Sequence, residues 1–266
     1  MIRAETPDAW LLVTHPDHAG LAGDFAAAWG NARFAAPEPS GPVHYAVRHH
    51  DDGWLARDAA PSLTPTGKPE AFTKALVGAY SAFEEIDLPN YLRVRGQATA
   101  AVAATDRHAG IIVSMHTVNL LTEQADLATI RPEHRASHAS FIAEQQVWQR
   151  TETAALGLDP AGLQRAFEFL QACDNLSLIA CSGYDEARDL RHTHPDRDGV
   201  RHTLRCTPAG PGTWHIAPWP FRDPEHTFIL PRRTVIKTAC ISPETFRAAF
   251  TTAPVETITL RLVATP

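Results

Sequence analysis

The spacing of hydrophobic residues changes character near residue 183. Before that point apolar side chains recur every three or four positions, as Leu21 and Phe25 do, and this spacing is typical of amphipathic helices. It predicts helices over residues 17–29, 43–51, 70–87, 97–124 and 133–156, and another that begins at Pro160. The fourth helix is expected to break near residues 106–107, and an apolar run at 9–14 indicates a strand.

After residue 183 the pattern becomes that of short strands. A polar loop over 184–202 precedes apolar runs that are separated by Pro and Gly, at 203–206, 213–216, 227–230, 235–240 and 257–263, with a short helix at 243–250. The predicted fold is therefore mainly α. A helical metal-binding domain would occupy residues 1–190, and a small antiparallel β appendage would occupy 191–266 and pack on it.

Composition narrows the classes of partner. The chain has 266 residues, 44% of them hydrophobic, and a net charge of −6, so it has no basic field for nucleic acid. It has no apolar run of the ~20 residues that a membrane span requires, and its first residues lack an apolar signal segment. The four cysteines form no C-x-x-C pair. We expect a cytoplasmic protein with a small-molecule substrate and no nucleic-acid or membrane partner, and the oligomeric state stays open.

A possible metal site begins with the dipeptide His50-Asp51 at the end of a predicted helix. Imidazole and carboxylate are common ligands of divalent metals, and Gly53 would let the chain turn away from the helix. The helical spacing turns His18 and His116 inward, and it places Asp174 in the middle of an apolar stripe. A buried aspartate must be paired or bind a metal to be tolerated.

Each of these residues also has an ordinary structural interpretation. His18 could be a hydrogen-bonded core histidine, Asp51 could cap a turn, and His116 could donate to a carbonyl. Asp174 could pair with Arg165 or Arg188. These explanations become less attractive when four of them are needed together, in separate segments, in the order His, His-Asp, His, Asp.

That order resembles the HD-domain superfamily of metal-dependent phosphohydrolases, which are helical domains named for the dipeptide. The resemblance covers residues 10–183. In that family an early His, the HD pair and a later Asp hold the first metal. The resemblance therefore implies His18, His50, Asp51 and Asp174 as ligands here.

Branches of the superfamily that bind two metals add histidines between the HD pair and the last Asp. The resemblance implies His116 in that role, with His134 or His138 as a further candidate. Residues 50–54, His-Asp-Asp-Gly-Trp, resemble a bacterial branch that is labelled only as of unknown function.

This chain departs from the related sites at one position. Related phosphodiesterase and inositol-oxygenase sites have Lys after the Gly, whereas this chain has Trp54. We expect Trp54, Arg57 and Lys68 to contact the substrate. Arg93 and Arg95 are further candidates for the missing cation, and the sequence does not select among the four cations.

The activity that the resemblance implies is hydrolysis of a phosphomono- or diester in a small phosphorylated or nucleotide-like substrate. One or two divalent ions (Mn, Fe, Ni, Co, Zn or Mg) would activate water, and Asp52 or Asp58 would act as general base. Two alternatives stay open. One is a di-iron oxygenase of the inositol-oxygenase type, and the other is a non-catalytic ligand-binding HD-like protein.

Overall fold

A computed structural model describes residues 1–73 and 87–265 of the chain. Its helices are α1 His15–Ala28, α2 Ser40–His49, α3 Leu55–Ala59, α4 Leu88–Thr105, α5 Arg107–Leu121, α6 Arg135–Leu156, α7 Pro160–Cys181 and α8 Pro243–Thr252. Its strands are β1 Ile2–Glu5, β2 Ala9–Val13, β3 Phe72–Thr73, β4 Arg188–Asp189, β5 His194–Pro195, β6 Arg201–His202, β7 Arg205–Pro208, β8 Thr213–Ala217, β9 Glu225–Ile236 and β10 Val255–Ala264.

One large sheet joins strands from both ends of the chain. Its eight strands lie in the order β3-β1-β2-β9-β10-β8-β7-β4. The pairs β1–β3 and β8–β10 are parallel, and the other neighbours are antiparallel. Trp10 of β2 lies opposite Val235 of β9, and Phe228 of β9 lies opposite Leu260 of β10. Strands β5 and β6 form a separate pair.

The expected mainly α fold with a small β appendage is wrong. The chain is 51% helix and 21% strand, and the strands include a curled, half-barrel sheet of eight. The apolar run at 227–230 and the first two residues of the run at 235–240 belong to a single strand, β9, which is 12 residues long, and residues 237–239 form a 3₁₀ turn. Because β9 pairs with β2 near the start of the chain, the C-terminal strands extend the N-terminal ones and do not form an attachment to a helical body.

The two faces of the sheet bury different side chains, as the twofold period of a strand requires. Val13 and Phe228 lie in the main core with residues of α1, α2, α5 and α7, among them Phe25 of α1. Trp10 and Val235 point to the other face and pack with Phe246 and Phe250 of α8. The helices that carry the candidate ligands are therefore held against one face of the sheet.

Most of the predicted helices are confirmed, with shifted ends. The break near 106–107 separates α4 from α5, because the carboxylate of Asp106 caps α5 by accepting from the backbone N–H of Ala109. Helix α4 begins at Leu88, nine residues earlier than the sequence predicts. Of the helix expected over 70–87, residues 72–73 form β3, and residues 74–86 lie outside the described residues.

The length and hydropathy of a helix decide whether it could cross a membrane. Within residues 1–73 and 87–265, none of the helices combines the length and the apolar character that crossing a bilayer requires.

Candidate metal centre

Four buried side chains from three segments come together, and we call His18, His50, Asp51 and Asp174 the His18 centre. His18 Nε2 is 3.5 Å from Asp51 Oδ2 and 3.4 Å from Asp174 Oδ1. His50 Nε2 is 3.9 Å and 3.4 Å from the same two oxygens. Each residue is at most 9% exposed. The structure thus brings together the four residues that the sequence singles out, and their role as ligands stays a prediction.

Helix starts set the position of these residues along their helices. Thr14 caps α1 by accepting from the backbone N–H of Asp17, which puts His18 in the second turn. Asp159 caps α7 in the same way, and Asp174 lies on the buried face of that helix. His50 is the C-cap of α2, and Asp51 follows as the chain enters a 3₁₀ turn over Asp52–Trp54.

A serine hydroxyl fixes the tautomer of His18. Ser177 Oγ donates to the carbonyl of Asp174 at 2.8 Å, so at its 2.6 Å contact with His18 Nδ1 the hydroxyl oxygen is the acceptor. The proton of His18 therefore sits on Nδ1, and the lone pair of Nε2 points at the two carboxylates. A partner behind the ring is what orients a metal-binding histidine.

A backbone carbonyl does the same for His50. Its Nδ1–H donates to the carbonyl of Val47 at 2.7 Å, which leaves Nε2 as the atom that faces the centre. That nitrogen is fully buried and has no hydrogen-bond partner among the described residues. A buried polar atom without a partner is costly, so it indicates that something binds there.

The spacing of the four atoms suits an ion better than direct hydrogen bonds. A good N–H···O bond spans about 2.7–3.2 Å, which is shorter than each of the four contacts. Ligands at about 2.1 Å from a shared ion lie ~3.0–3.4 Å from one another in octahedral or tetrahedral geometry. His18, His50 and Asp174 have ligand atoms that all lie within 4.8 Å of one another, whereas Asp51 lies outside this group, with its Oδ2 at 3.5 and 3.9 Å from the two ring nitrogens. The donor set therefore fits a divalent cation.

Arg95 of α4 holds the remaining ligand in place. Its Nη1 donates to Asp51 Oδ1 at 2.5 Å, which turns Oδ2 toward His18 and His50. Gly53 permits this contact by close packing and not by the turn expected from the sequence. A Cβ at Gly53 would lie 2.6 Å from the carbonyl of Val94, so a larger residue would push the loop away from α4.

The charges in the centre depend on each other. Burial alone would raise the pKa of Asp51, but the charges of Arg95 and His50 hold it well below its usual range. Burial opposes ionisation of Asp174 as well, yet its 3.4 Å contact with His50 Nε2 and the charge of His50 lower its pKa to about 2. Both carboxylates are therefore ionised at neutral pH and available to a cation.

With no cation present, His50 supplies the balancing charge. Burial lowers the pKa of His50, but the charges of Asp51 and Asp174 outweigh burial and raise that pKa to about 9. A divalent ion would take over this role and leave the ring neutral, as ligation requires.

His116 of α5 lies at the edge of the centre. Its Nε2 is 3.7 Å from Asp174 Oδ2, and its ring meets that of His50 edge-on at 5.3 Å between centroids. Burial lowers the pKa of His116 to about 3, so the ring is neutral, and its Nδ1 has no partner among the described residues. His138, by contrast, bonds to the carbonyl of Leu121, and His134 has no contact with the centre in the described structure.

A second polar cluster lies one turn away on α1, and we call His15, Asp58 and the amine of Met1 the His15 cluster. Asp58 accepts from the Met1 amine at 2.7 Å and from the backbone N–H of His15 at 2.5 Å, and His15 Nδ1 lies 2.5 Å from the Met1 amine and 3.0 Å from Asp58. The ring of His15 also stacks on Trp54 at 4.8 Å. Asp58, expected to be a general base, thus has both carboxylate oxygens occupied by partners.

The other expected site residues surround the centre at varying depth. Asp52 is partly exposed and bonds to His49 Nδ1 at 2.7 Å. Trp54 is buried, and the guanidinium of Arg57 lies over its ring and pairs with Glu70. Lys68 is exposed in the loop before β3, and no contact joins it to the centre within the described chain.

Sequence reasoning missed one supporting residue, Ser177, and named Arg95 only as one of four candidate cations. Ser177 lies one turn after Asp174 on the same buried face of α7. Arg95 continues a buried stripe with Tyr91, Ala98 and Val102, so its helical phase would have identified it. The helix predicted from residue 97 began too late to include either Tyr91 or Arg95.

Comparison with known proteins places the chain in a family. The profile of a family described as a protein of unknown function (DUF3891) matches residues 1–237. The chain belongs to the DUF3891 family. No curated protein and no solved structure matches it. All members of the His18 centre lie within the matched range of this DUF3891 protein, whereas β10 lies beyond it.

The expected membership of the HD-domain superfamily is wrong. The family that matches is DUF3891, and the large curled sheet differs from the helical domain that the resemblance implies. The metal centre must therefore be argued from its own geometry. Four ligand types in a given order are too few to specify a fold, because unrelated folds can bring the same side chains together.

Proposed function

We propose that this DUF3891 protein is a divalent-metal-dependent phosphohydrolase that acts on a small phosphorylated or nucleotide-like substrate. The observation that carries the proposal is the His18 centre, in which two imidazole nitrogens and two carboxylate oxygens face one another at 3.4–3.9 Å. A divalent ion there would supply Lewis acidity toward a phosphoryl oxygen and an attacking water.

The protein's own residues would prepare this chemistry. Ser177 and the carbonyl of Val47 keep His18 and His50 in the tautomer that binds cations. The low exposure of the centre reduces competition from bulk water and strengthens electrostatic interactions within it. Of the two expected bases, Asp52 is the better candidate, because among the described residues only its Oδ2 has a hydrogen-bond partner, whereas both oxygens of Asp58 are occupied.

The alternatives have less support. A di-iron oxygenase would need an additional histidine from residue 134 or 138, and the ring Nε2 of His138 is bonded to a backbone carbonyl. A non-catalytic protein would not need two ionised carboxylates and an unpartnered imidazole nitrogen at one buried point.

The four free, buried cysteines agree with a reducing compartment, which supports a cytoplasmic location.

Elemental analysis of protein purified without added metal, followed by assays, tests the proposal. The assays use p-nitrophenyl phosphate and bis(p-nitrophenyl) phosphate with Mn²⁺, Co²⁺, Zn²⁺ or Mg²⁺. We expect at least one ion per chain and metal-dependent hydrolysis, and we expect His50→Gln to lose activity about a hundredfold or more.

The matched control is His44→Gln. His44 lies on the same helix and bonds to the carbonyl of Ala26, so its loss should leave hydrolysis within about twofold of wild type. Bound metal without hydrolysis of either ester would contradict the proposal. Bound iron with oxygen consumption would favour the oxygenase instead.

A further inference from the structure

The four cations that the sequence offers as candidates, Arg57, Lys68, Arg93 and Arg95, differ in burial and in how many of their donors already have partners. Arg57 pairs with Glu70, and Arg93 is exposed and bonds to Asn90 and Gln97. Lys68 is exposed in a loop. Arg95 alone among these four is buried, at 6% exposure, and touches a residue of the centre.

The guanidinium of Arg95 is held firmly but only partly satisfied. Its Nη1 donates to Asp51 and its Nε donates to the hydroxyl of Tyr91 at 3.2 Å. The rings of Trp54 and Tyr91 lie 5.6 and 5.3 Å from its central carbon and fix its plane. Among the described residues only Nε and Nη1 have an acceptor, so at least the two N–H groups of Nη2 are available to a ligand.

The charge balance identifies the kind of partner that is missing. Asp51, Asp174 and Arg95 together carry one net negative charge, which a divalent cation would convert to one net positive charge. A buried site with a net positive charge and free N–H donors favours an anion. The planar guanidinium of arginine, with its fork of N–H donors, matches a phosphate better than the compact ammonium group of lysine does.

We propose that Arg95 is the substrate-binding residue that donates from Nη2 to a phosphoryl oxygen while Nη1 stays bonded to Asp51. This inference rests on the proposed function and names its recognition group. Arg95 would thereby fill the role for which the sequence offers four cations, and it would link the substrate anion to the carboxylate that faces the metal position. The proposal predicts that a substitution of Arg95 weakens phosphate binding more than metal binding.

The test measures two affinities on the full chain by titration calorimetry, first for Mn²⁺ and then for inorganic phosphate on the Mn²⁺-loaded protein. Because Arg95 also orients Asp51, we expect Arg95→Gln to raise the Mn²⁺ Kd about tenfold, so phosphate is titrated at saturating Mn²⁺ for each variant. We expect the phosphate Kd to rise about tenfold or more, because a charge-assisted hydrogen bond is lost. Arg93→Gln, on the exposed side of the same helix, is the matched control and should change neither Kd.

Several outcomes would overturn the proposal. They are an unchanged phosphate Kd in Mn²⁺-saturated Arg95→Gln and a wild type that binds Mn²⁺ but no phosphate. If Arg95→Gln does not fold, Arg95→Lys decides. Lys keeps the charge without the fork, so its phosphate Kd should rise about fivefold, and an unchanged Kd would overturn the proposal. Failure of the proposed function can be told apart from failure of this inference, because the protein would then still bind phosphate but would not hydrolyse the esters.

Discussion

The first two turns of α1 carry two histidines, the fully buried His18 and the partly buried His15, that meet very different surroundings. His15 and His18 each face an aspartate from the segment after α2, Asp58 and Asp51 respectively. In the His15 cluster each carboxylate oxygen accepts from an N–H donor at 2.5–2.7 Å. In the His18 centre the ring nitrogens and carboxylate oxygens face one another at 3.4–3.9 Å.

The difference shows how a buried polar cluster can be assigned to structure or to ligand binding. Both clusters consist of His and Asp, and both perturb pKa values, so neither composition nor burial separates them. What separates them is the balance of donors and acceptors. The His15 cluster is complete within the protein, whereas the His18 centre has an excess of acceptors that only a cation or added protons can satisfy.

The largest effect should come from replacing one aspartate in the His18 centre and, separately, one in the His15 cluster. Wild type should lose about 5–10 °C of melting temperature on addition of a chelator, because an ion at a hundred times its Kd adds on the order of 3 kcal/mol to the stability of the fold. Asp174→Asn should bind Mn²⁺ about a hundredfold more weakly or worse and should melt independently of chelator. Thermal melts with and without EDTA measure both effects.

Asp58→Asn is the reciprocal variant. It breaks a buried ion pair and should lower stability by about 3 kcal/mol, while the chelator response stays that of wild type. The comparison fails if both variants respond to chelator alike, since Asp174 would then be one more structural aspartate.

Lowering the pH should reduce the stability of the fold through His15 of the His15 cluster. Burial, with the nearby Met1 amine, lowers the pKa of His15 to about 4, against about 6.5 in the unfolded chain. Below pH 6.5 the unfolded chain takes up a proton that the folded protein does not, so stability is full above that pH and falls as the pH drops toward 4.

Between pH 7 and 5 this histidine should therefore account for about 2 kcal/mol of lost stability. Urea unfolding in EDTA at both pH values, for wild type and for His15→Gln, isolates the contribution. The variant should lose about 2 kcal/mol less than wild type over this interval, and equal losses in the two proteins would contradict the assignment.

Sequence reasoning succeeded where one helix determines the answer and failed where distant segments meet. The inward phase of His18, His116 and Asp174 follows from local helical spacing, and the structure places all three side chains inward. The pairing of β2 with β9 depends on segments more than 200 residues apart, and no local pattern specifies it.

The same division applies within the candidate site. Residues 50 and 51 stand out in the sequence, but the occupation of Asp58 by His15 and the Met1 amine requires three separate segments to meet. The sequence offers four cations with equal claim, and only the packing of Gly53 against α4 brings one of them, Arg95, to Asp51.

The smallest expected effect comes from removing one hydroxyl group that supports the His18 centre. Ser177→Ala removes the group that fixes the tautomer of His18, and we expect the Mn²⁺ Kd to rise about tenfold. Ser182 is the matched control, because its hydroxyl is equally buried at the end of α7 and has no partner among the described residues. Ser182→Ala should leave the Mn²⁺ Kd unchanged, and an equal rise in both variants would show that the hydroxyl acts only through packing.

The position of β10 has a consequence for how the chain is made. Strands β8 and β9 follow one another in sequence, yet they do not pair, because β10 lies between them. While a ribosome extends the chain, the facing edges of β8 and β9 stay open until residues 255–264 emerge. Unpaired edges invite association between nascent chains, so the nascent protein depends on the rapid arrival of its final strand or on a chaperone that shields the gap.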